Sequence, residues 1–418
     1  MSQESITDNL SETGLDYISS TKKWQKETDD ESGQVEQKIS QELLSALQMC
    51  NLIVLSGCGT SISVGGPPMS DLWDSCMDSQ KNEIAQSERL EYCKETSENN
   101  IERFLSLCEA CFECESLDIE KKKIELCIQS CRKVIHRKCS GFLQTGEDFL
   151  KDNNYDSTTS DLNKKLQAHR SLLSKLTRRR IRDPRLKIFT TNYDLCFEVA
   201  AAGLGLVVID GFSFSYPHIF DSRYFEYDMV KRANSSDEQG NYLDGVFHLY
   251  KLHGSVNWYS QDRWIEKREL RNIEYDENSS PCMIYPAKGK FQQSYAQPYI
   301  ETISRFMAAL REPNTCLLII GFGFNDDHLA EPILAAVESN PHLKIVVVDN
   351  NAKKNYSSKP KNGNSFRKSL AGLVRNGLCD IVLIHADFNK FTEIIPNLKA
   401  LSSGEKIENA IREITRNR

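Results

Sequence analysis

The chain has 418 residues, of which 39% are hydrophobic and 27% are charged, so it can bury a sizeable core and is not disordered throughout. Its 52 basic and 59 acidic side chains leave a net charge of -7, which excludes a protein that coats nucleic acid through general positive charge. The N-terminal residues lack the pattern of a secretory signal, and no apolar run approaches the roughly 18 residues of a membrane span. We therefore expect a cytoplasmic protein with reduced cysteines.

Residues 1–38 are rich in Ser, Thr, Asp, Glu and Gln and poor in apolar residues, which predicts a mobile polar arm. A core domain is predicted over residues 39–400, and a C-terminal helix over 401–418. The core begins with an apolar run, Asn-Leu-Ile-Val-Leu over 51–55, followed by Ser-Gly-Cys-Gly-Thr-Ser. This pattern predicts a buried strand that leads into a glycine turn.

Between about residues 72 and 180 the apolar residues recur at helical spacing and the opposite faces are charged, which predicts an inserted all-helical subdomain. The cysteines of this segment include positions 108, 111, 114, 127, 131 and 139. Thiols at such intervals can bind a metal, but they also pack as small apolar groups on a buried helix face. Because no Gly/Pro knuckle flanks them, we expect packed thiols and no bound metal.

Strand-like sequence returns after the helical segment. The predicted strands cover residues 186–190, 204–209, 246–252, 282–285, 316–320, 343–348 and 381–384. Several are apolar on both faces, as central parallel strands are, and helical patterns separate some of them. The alternation predicts an α/β fold with a doubly wound, Rossmann-like parallel sheet that carries the helical insertion.

Polar residues follow four of the predicted strands, where the carboxyl ends of a parallel sheet form a crevice for ligands. The four motifs are Gly57-Cys-Gly-Thr-Ser61, Phe189-Thr-Thr-Asn-Tyr-Asp194, Lys251-Leu-His-Gly-Ser255 and Gly321-Phe-Gly-Phe-Asn-Asp-Asp-His-Leu329. The first is weak as a dinucleotide motif because Ile62 replaces the third glycine, although its hydroxyl and amide groups suit an anion. Each motif alone also fits a structural role, as a turn, a helix cap or a core histidine. Together they favour a ligand site.

In order and spacing, these motifs resemble those of the sirtuin-like family of NAD-consuming proteins, and especially its bacterial anti-phage branch. The resemblance covers about residues 52–350 and implies NAD+ as substrate. It implies that the pyrophosphate is held by Gly57, Gly59, Thr60 and Ser61. Asn192 would contact the nicotinamide ribose, Asp194 the carboxamide and His253 the ribose hydroxyls. The adenosine half would be surrounded by Gly321, Gly323, Asp349 and Asn350.

Two departures from deacylating sirtuins bear on the chemistry. The first loop continues as Gly65-Gly-Pro-Pro-Met-Ser-Asp71, without the Phe and Arg that those enzymes usually carry. Between Gly254 and Gly321 there is one cysteine, Cys282, where the family places two pairs for a structural zinc. Because the sequence has no recognisable acyl-lysine slot, water is the expected nucleophile. A neutral His253 can accept a proton from a ribose hydroxyl or position that water molecule.

The functional hypothesis is therefore an NAD+ glycohydrolase that releases nicotinamide and ADP-ribose. The resemblance further implies an NAD-depleting effector of anti-phage defence by abortive infection, assembled as a homo-oligomer and controlled by a partner ATPase of the HerA translocase type. A protein deacylase and a non-catalytic sensor of NAD or ADP-ribose remain the alternatives. Two basic segments, 175–187 and 353–368, could contact nucleic acid locally, but a solvated helix end and a loop are the preferred interpretations.

Overall fold

Seven parallel strands form the centre of the main sheet in the computed structural model. The described residues are 16–18, 25–26, 34–143, 162–180, 182–230, 242–261, 263–269, 280–285, 297–356, 365–377 and 379–398. In chain order the strands are β1 (Asp16–Ile18), β2 (Gln25–Lys26), β3 (Asn51–Ser56), β4 (Leu186–Thr190), β5 (Val207–Ile209), β6 (His218–Ile219), β7 (Val246–Lys251), β8 (Gly254–Gln261), β9 (Trp264–Lys267), β10 (Ser280–Met283), β11 (Thr315–Ile320), β12 (Leu343–Asp349) and β13 (Ile381–His385).

The main sheet has the strand order β2-β1-β13-β12-β11-β3-β4-β7-β5, in which β1 and β2 are antiparallel additions at one edge. The predicted α/β class with a parallel sheet is confirmed. The order places β3 between β11 and β4, so the first glycine turn lies next to the turns that follow those two strands. Strand β1 and the start of the first helix fall within the segment predicted as an arm, and the predicted helix over 401–418 lies outside the described residues.

Helices cover both faces of the sheet. They are α1 (Gln34–Leu47), α2 (Gly59–Ile62), α3 (Met69–Ser79), α4 (Lys81–Ile84), α5 (Glu88–Thr96), α6 (Ile101–Cys114), α7 (Asp118–Gly141), α8 (Gln167–Leu176), α9 (Cys196–Ala202), α10 (Tyr299–Arg311), α11 (Asp327–Ser339), α12 (Ala352–Asn355), α13 (Ser365–Asn376) and α14 (Phe388–Ile394). None of these helices combines the length and apolar composition that a membrane crossing needs, within the described part of the chain.

Side chains that alternate along each strand enter two separate cores, because successive residues of a strand point to opposite faces. On β3, Leu52 and Val54 join the core beneath α1, α3, α8 and α14. Ile53 and Leu55 join the opposite core beneath α10, α11 and α13. A strand buried on both faces carries a continuous apolar run, which is why β3 was predictable from sequence.

The helices α3 to α7 all lie between β3 and β4 in the chain, within the segment predicted as a helical insertion. Six of its cysteines are buried in the same core as the sheet residues, namely Cys76, Cys93, Cys108, Cys127, Cys131 and Cys139. Cys111 is half-buried and Cys114 is exposed. The helix α6 begins at a cap in which Asn100 Oδ1 accepts hydrogen bonds from Glu102 N and Arg103 N at 2.9 and 3.1 Å.

A second, antiparallel sheet has the order β10-β8-β9-β6. Its strand β8 follows β7 after a sharp reversal at Gly254, whose φ of 81° is accessible mainly to glycine. The predicted strand at 282–285 corresponds to β10 and belongs to this sheet rather than to the parallel one. The tight turn at Gly254 also fixes the position of His253 at the end of β7.

Candidate functional site

A cavity of about 280 Å³ lies at the carboxyl ends of β3, β4, β7 and β11. Six residues that the sequence predicted for the site line it: Gly57, Ser61, Asn192, Asp194, His253 and Gly323. The structure therefore brings the residues of all four motifs to one place, as the parallel topology requires. Other lining residues come from the helical segment, among them Met69, Leu72, Asn100, Glu102, Cys139 and Phe142.

The remaining predicted residues lie outside the cavity lining. Thr60 is fully buried, and its hydroxyl donates to the Gly57 carbonyl at 2.9 Å. Asp349 and Asn350 follow β12, where Asp349 accepts hydrogen bonds from Asn351 N and Asn355 Nδ2, both at 2.7 Å. Both residues are therefore placed one strand beyond β11, on the side away from His253.

Asn192 joins the loop after β4 to the glycine turn after β3. Its Nδ2 lies 3.0 Å from the Gly57 carbonyl, 3.1 Å from Thr60 Oγ1 and 2.9 Å from Ser61 Oγ. An amide nitrogen has two hydrogens, so it can satisfy two of these three acceptors at a time. The Asn192 backbone N–H also donates to Thr190 Oγ1 at 3.1 Å, which holds the loop against the end of its own strand.

Asp194 is held between two elements. Its Oδ2 accepts the Ser61 hydroxyl at 2.6 Å, and its Oδ1 accepts the backbone N–H of Cys196 at the start of α9 at 3.0 Å. The buried Lys251 ammonium donates to the Asp194 carbonyl and forms an ion pair with Glu198 at 3.1 Å. Burial raises the pKa of the Glu198 carboxyl, and the Lys251 charge opposes that rise.

The first and last glycine turns pack backbone to backbone. A Cβ on Gly57 would lie 2.6 Å from the Gly321 carbonyl oxygen, and a Cβ on Gly59 would lie 2.6 Å from Gly321 Cα. The backbone N–H groups of Gly57 and Gly59 donate to the Ile320 and Gly321 carbonyls at 3.0 and 3.1 Å. Glycine is needed at these positions for close packing between turns, and their N–H groups are already engaged within the protein.

The backbone N–H groups of Thr60 and Ser61 are also engaged within the protein. The Thr60 N–H donates to the Gly57 carbonyl at 3.1 Å, and the Ser61 N–H donates to the Cys58 carbonyl at 3.0 Å. The four N–H groups that the expected anion-binding role of this turn would use are therefore directed at backbone carbonyls of the protein. Cys58, which lies between these residues, has an exposed side chain on the cavity lining, and partial desolvation by the cavity wall, with a smaller contribution from the Asp326 charge, raises the pKa of its thiol.

His253 is buried, and its Nε2 lies 3.1 Å from the Nε2 of His328 in the first turn of α11. Asp326, the residue before α11, brings a carboxylate to the same place. One ligand atom from each of the three residues lies within 4.8 Å of the others. The sequence placed Asp326 and His328 in the polar motif that begins with the last glycine turn, in the stretch Asn-Asp-Asp-His, but a role was predicted only for His253.

A family model matches part of the chain. Residues 186–370 match the family model of the SIR2-like domain, which supports a sirtuin-like family and an NAD-using enzyme of the sirtuin type. The match contains Asn192, His253 and Gly321 and begins after the first glycine turn. No curated protein sequence gives a significant match to the chain.

Solved structures that the chain matches include sirtuins in complex with ligands. One is Sir2 with a p53 peptide and NAD+, at 13% sequence identity and a TM-score of 0.38, with 85% of this chain and 95% of that chain covered. Another is Sir2 with a deacetylated p53 peptide and 3'-O-acetyl ADP-ribose, at 14% identity and a TM-score of 0.38, with coverage of 85% and 96%. A third, from work on sirtuin substrate affinity, has 13% identity and a TM-score of 0.36, with coverage of 85% and 95%.

Proposed function

We propose that the protein is an NAD+ glycohydrolase, which uses water to cleave the bond between nicotinamide and ribose. The observation that carries the proposal is the placement of Asn192 and His253 on one cavity beside Gly57 and Gly323. An amide for the ribose and a histidine for its hydroxyls are two groups that this reaction needs. The SIR2-like match over residues 186–370 supports NAD+ as the substrate.

In the proposed reaction, the C1′–N bond breaks and its electron pair neutralises the positively charged nicotinamide ring. The oxygen of a water molecule forms the new bond to C1′ and loses a proton to solvent. Asn192 orients the nicotinamide ribose, and Asp194 accepts a hydrogen bond from the carboxamide. His253 accepts a proton from a ribose hydroxyl or orients the water, as imidazole can near neutral pH.

The rest of NAD+ is assigned to the neighbouring turns. The pyrophosphate is assigned to the turn that contains Gly57, Gly59, Thr60 and Ser61, of which Gly57 and Ser61 line the cavity. The adenosine half lies toward Gly321, Gly323, Asp349 and Asn350. Water is proposed as the nucleophile because the loop over residues 65–71 lacks the Phe and Arg of deacylating sirtuins. Leu72 of α3, Asn100 before α6 and Phe142 after α7 line the cavity together with Gly66 and Pro67 of that loop.

At the cellular level, we propose an effector that depletes NAD+ in bacterial anti-phage defence, under the control of a partner. The motif resemblance to the anti-phage branch supports this role. An enzyme that consumes NAD+ without restraint would harm its own cell, so the proposal includes a homo-oligomer and a HerA-type partner ATPase in the cytoplasm.

The test is the release of nicotinamide and ADP-ribose from NAD+, measured for the purified protein alone and with the ATPase encoded beside it. We expect equal amounts of both products and faster release with the partner. Release of nicotinamide only with an acylated peptide would favour the deacylase instead. Binding of NAD+ without any product, with and without the partner, would favour the sensor. Native mass measurement reports the oligomer, and a fully active monomer that ignores the partner would contradict the regulatory part.

A further inference from the structure

His253, Asp326 and His328 form a compact group that the proposed reaction uses only in part. Two imidazoles and one carboxylate come from two rigid elements, the end of β7 and the start of α11. Among the residues that the structure describes, no other group of three or more His, Cys, Asp or Glu side chains places its ligand atoms close enough to share a metal ion. His253 and Asp326 line the cavity, and His328 lines a neighbouring hollow between α10 and α11.

The separation of the two imidazoles fits joint coordination of one ion. A zinc ion binds histidine nitrogen at roughly 2.0–2.1 Å, so two nitrogens at a tetrahedral angle lie about 3.3 Å apart, and at a right angle about 2.9 Å apart. The observed distance of 3.1 Å between the Nε2 atoms of His253 and His328 falls between these values. The two rings therefore need little movement to face the same ion.

The carboxylate and the surrounding charge also favour a cation. Asp326 occupies the N-cap position of α11. One of its carboxylate oxygens lies within 4.8 Å of a ring nitrogen of His253 and of a ring nitrogen of His328. Glu102, Asp194 and Asp326 all line the cavity, whereas no Lys or Arg does so in the described part of the chain. Two histidines and one carboxylate are a donor set typical of zinc, with one position left open toward the cavity.

We propose that His253, Asp326 and His328 bind a divalent cation of the zinc class and that the bound ion inhibits the enzyme. The inhibition rests on the proposed function, in which a ring nitrogen of His253 must keep a lone pair to accept a proton or orient water. The metal binding itself does not depend on that function. An ion on Nε2 removes that lone pair and occupies the space beside it. Metal binding at this site would be reversible, and removal of the ion by a chelator would restore His253 as a proton acceptor.

Cobalt is the probe for binding, because tetrahedral Co²⁺ absorbs visible light when bound to protein ligands. The full-length protein is stripped with a chelator, dialysed, titrated with Co²⁺ and then back-titrated with Zn²⁺. Binding to any of the 14 cysteines is recognised separately by sulfur-to-cobalt charge-transfer bands in the near ultraviolet. The variants are His328→Gln and Asp326→Asn, and the matched control is His342→Gln, which changes an exposed histidine before β12.

We expect one Co²⁺ per chain with visible bands and no thiolate bands, displaced by one Zn²⁺. Affinity should fall roughly a hundredfold in His328→Gln and at least tenfold in Asp326→Asn, and should not change in the control, with thermal melts showing all variants folded. A folded wild type without visible bands, or equal bands in both variants, would overturn the site.

Inhibition is measured separately, as nicotinamide release with and without saturating Zn²⁺ and then after addition of a chelator. Release that falls with Zn²⁺ and recovers with the chelator supports the proposal. Unchanged or faster release at saturating Zn²⁺ would contradict the inhibition. If the wild type binds metal but never hydrolyses NAD+, the proposed enzyme function fails while the metal site stands.

Discussion

Ser61 and Asp194 are 133 positions apart in the chain and are joined by a hydrogen bond of 2.6 Å from the serine hydroxyl to the carboxylate. The bond connects the turn after β3 to the loop after β4. Both side chains are buried, and the acceptor is a carboxylate, which makes such a bond stronger than a neutral one. It fixes the distance between the first two motifs at the mouth of the cavity.

Replacement of Ser61 by Ala should destabilise the protein. The change leaves Asp194 Oδ2 without its donor and removes one acceptor of Asn192 Nδ2. We expect a loss of about 1–3 kcal/mol in the free energy of unfolding, measured by denaturant titration. The control is Ser70→Ala, an exposed serine, which should change stability by less than about 0.5 kcal/mol. Equal stability of the two variants would show that the bond contributes little.

The catalytic assignment is tested by Asn192→Ala and His253→Ala. Each should lower nicotinamide release at saturating NAD+ by roughly a hundredfold or more, as expected when a positioning or acid-base group is lost. Because Asn192 also bridges to Gly57 and Ser61, its loss should lower the melting temperature, so assays are run well below that temperature. Replacement of Asp194 should raise the NAD+ concentration that the enzyme requires for saturation, and it should slow turnover. Folded alanine variants with wild-type turnover would show that the site is assigned wrongly.

Two Gly→Ala substitutions should have opposite effects on stability, because Gly59 is packed against another glycine turn and Gly372 is not. A Cβ on Gly59 would come within 2.6 Å of Gly321 Cα, and backbone cannot move aside as a flexible side chain can. Gly59→Ala should therefore lower stability by about 2 kcal/mol or more and distort the cavity. Gly372 lies in α13 with no atom within 4 Å of an added Cβ, so Gly372→Ala should raise stability by about 0.5–1 kcal/mol. Thermal melts and denaturant titration distinguish these outcomes, and a tolerated Gly59→Ala would contradict the tight packing.

Stability should decrease as the pH falls below neutrality because of His169. This histidine is fully buried between Phe197 and Phe388, and neither ring nitrogen has a hydrogen-bond partner within the described residues. Burial lowers its pKa from 6.5 to about 4. Between these values the unfolded chain takes up a proton that the folded protein does not, so stability is full above pH 6.5 and falls toward pH 4, by up to about 1.4 kcal/mol per pH unit.

The measurement is the free energy of unfolding at several values between pH 5 and 7. His248, whose pKa burial also lowers to about 4, should contribute a similar slope. His169→Phe should therefore remove about half of the pH dependence from these two groups and raise stability, because an unpaired buried polar ring is replaced by an apolar one. His342→Phe, at an exposed position, is the control. An unchanged slope in His169→Phe would contradict the assignment.

Much of the sheet and of the site could be predicted because the polar residues that follow parallel strands all lie at the same edge of the sheet. Asn192 and His253 needed no tertiary information beyond the strands that precede them. His328 belongs to the fourth polar motif, but its contact with His253 could not be predicted because His328 lies on a helix, where the direction of a side chain depends on how the helix packs. The antiparallel sheet was also missed, since β8 is buried over its first six residues and the reversal at Gly254 depends on one positive φ.

The strand order has a consequence for the synthesis of the protein. Central strand β3 is made early, yet its neighbours β4 and β11 follow much later, and Asn51 pairs with Thr315 on β11. Contacts between such distant segments form slowly, because a long loop must close before they contribute. The cavity lacks one wall until the turn after β11 has left the ribosome. A nascent chain therefore carries an incomplete site for most of its translation, and chaperones have that time to protect the exposed edges of β3.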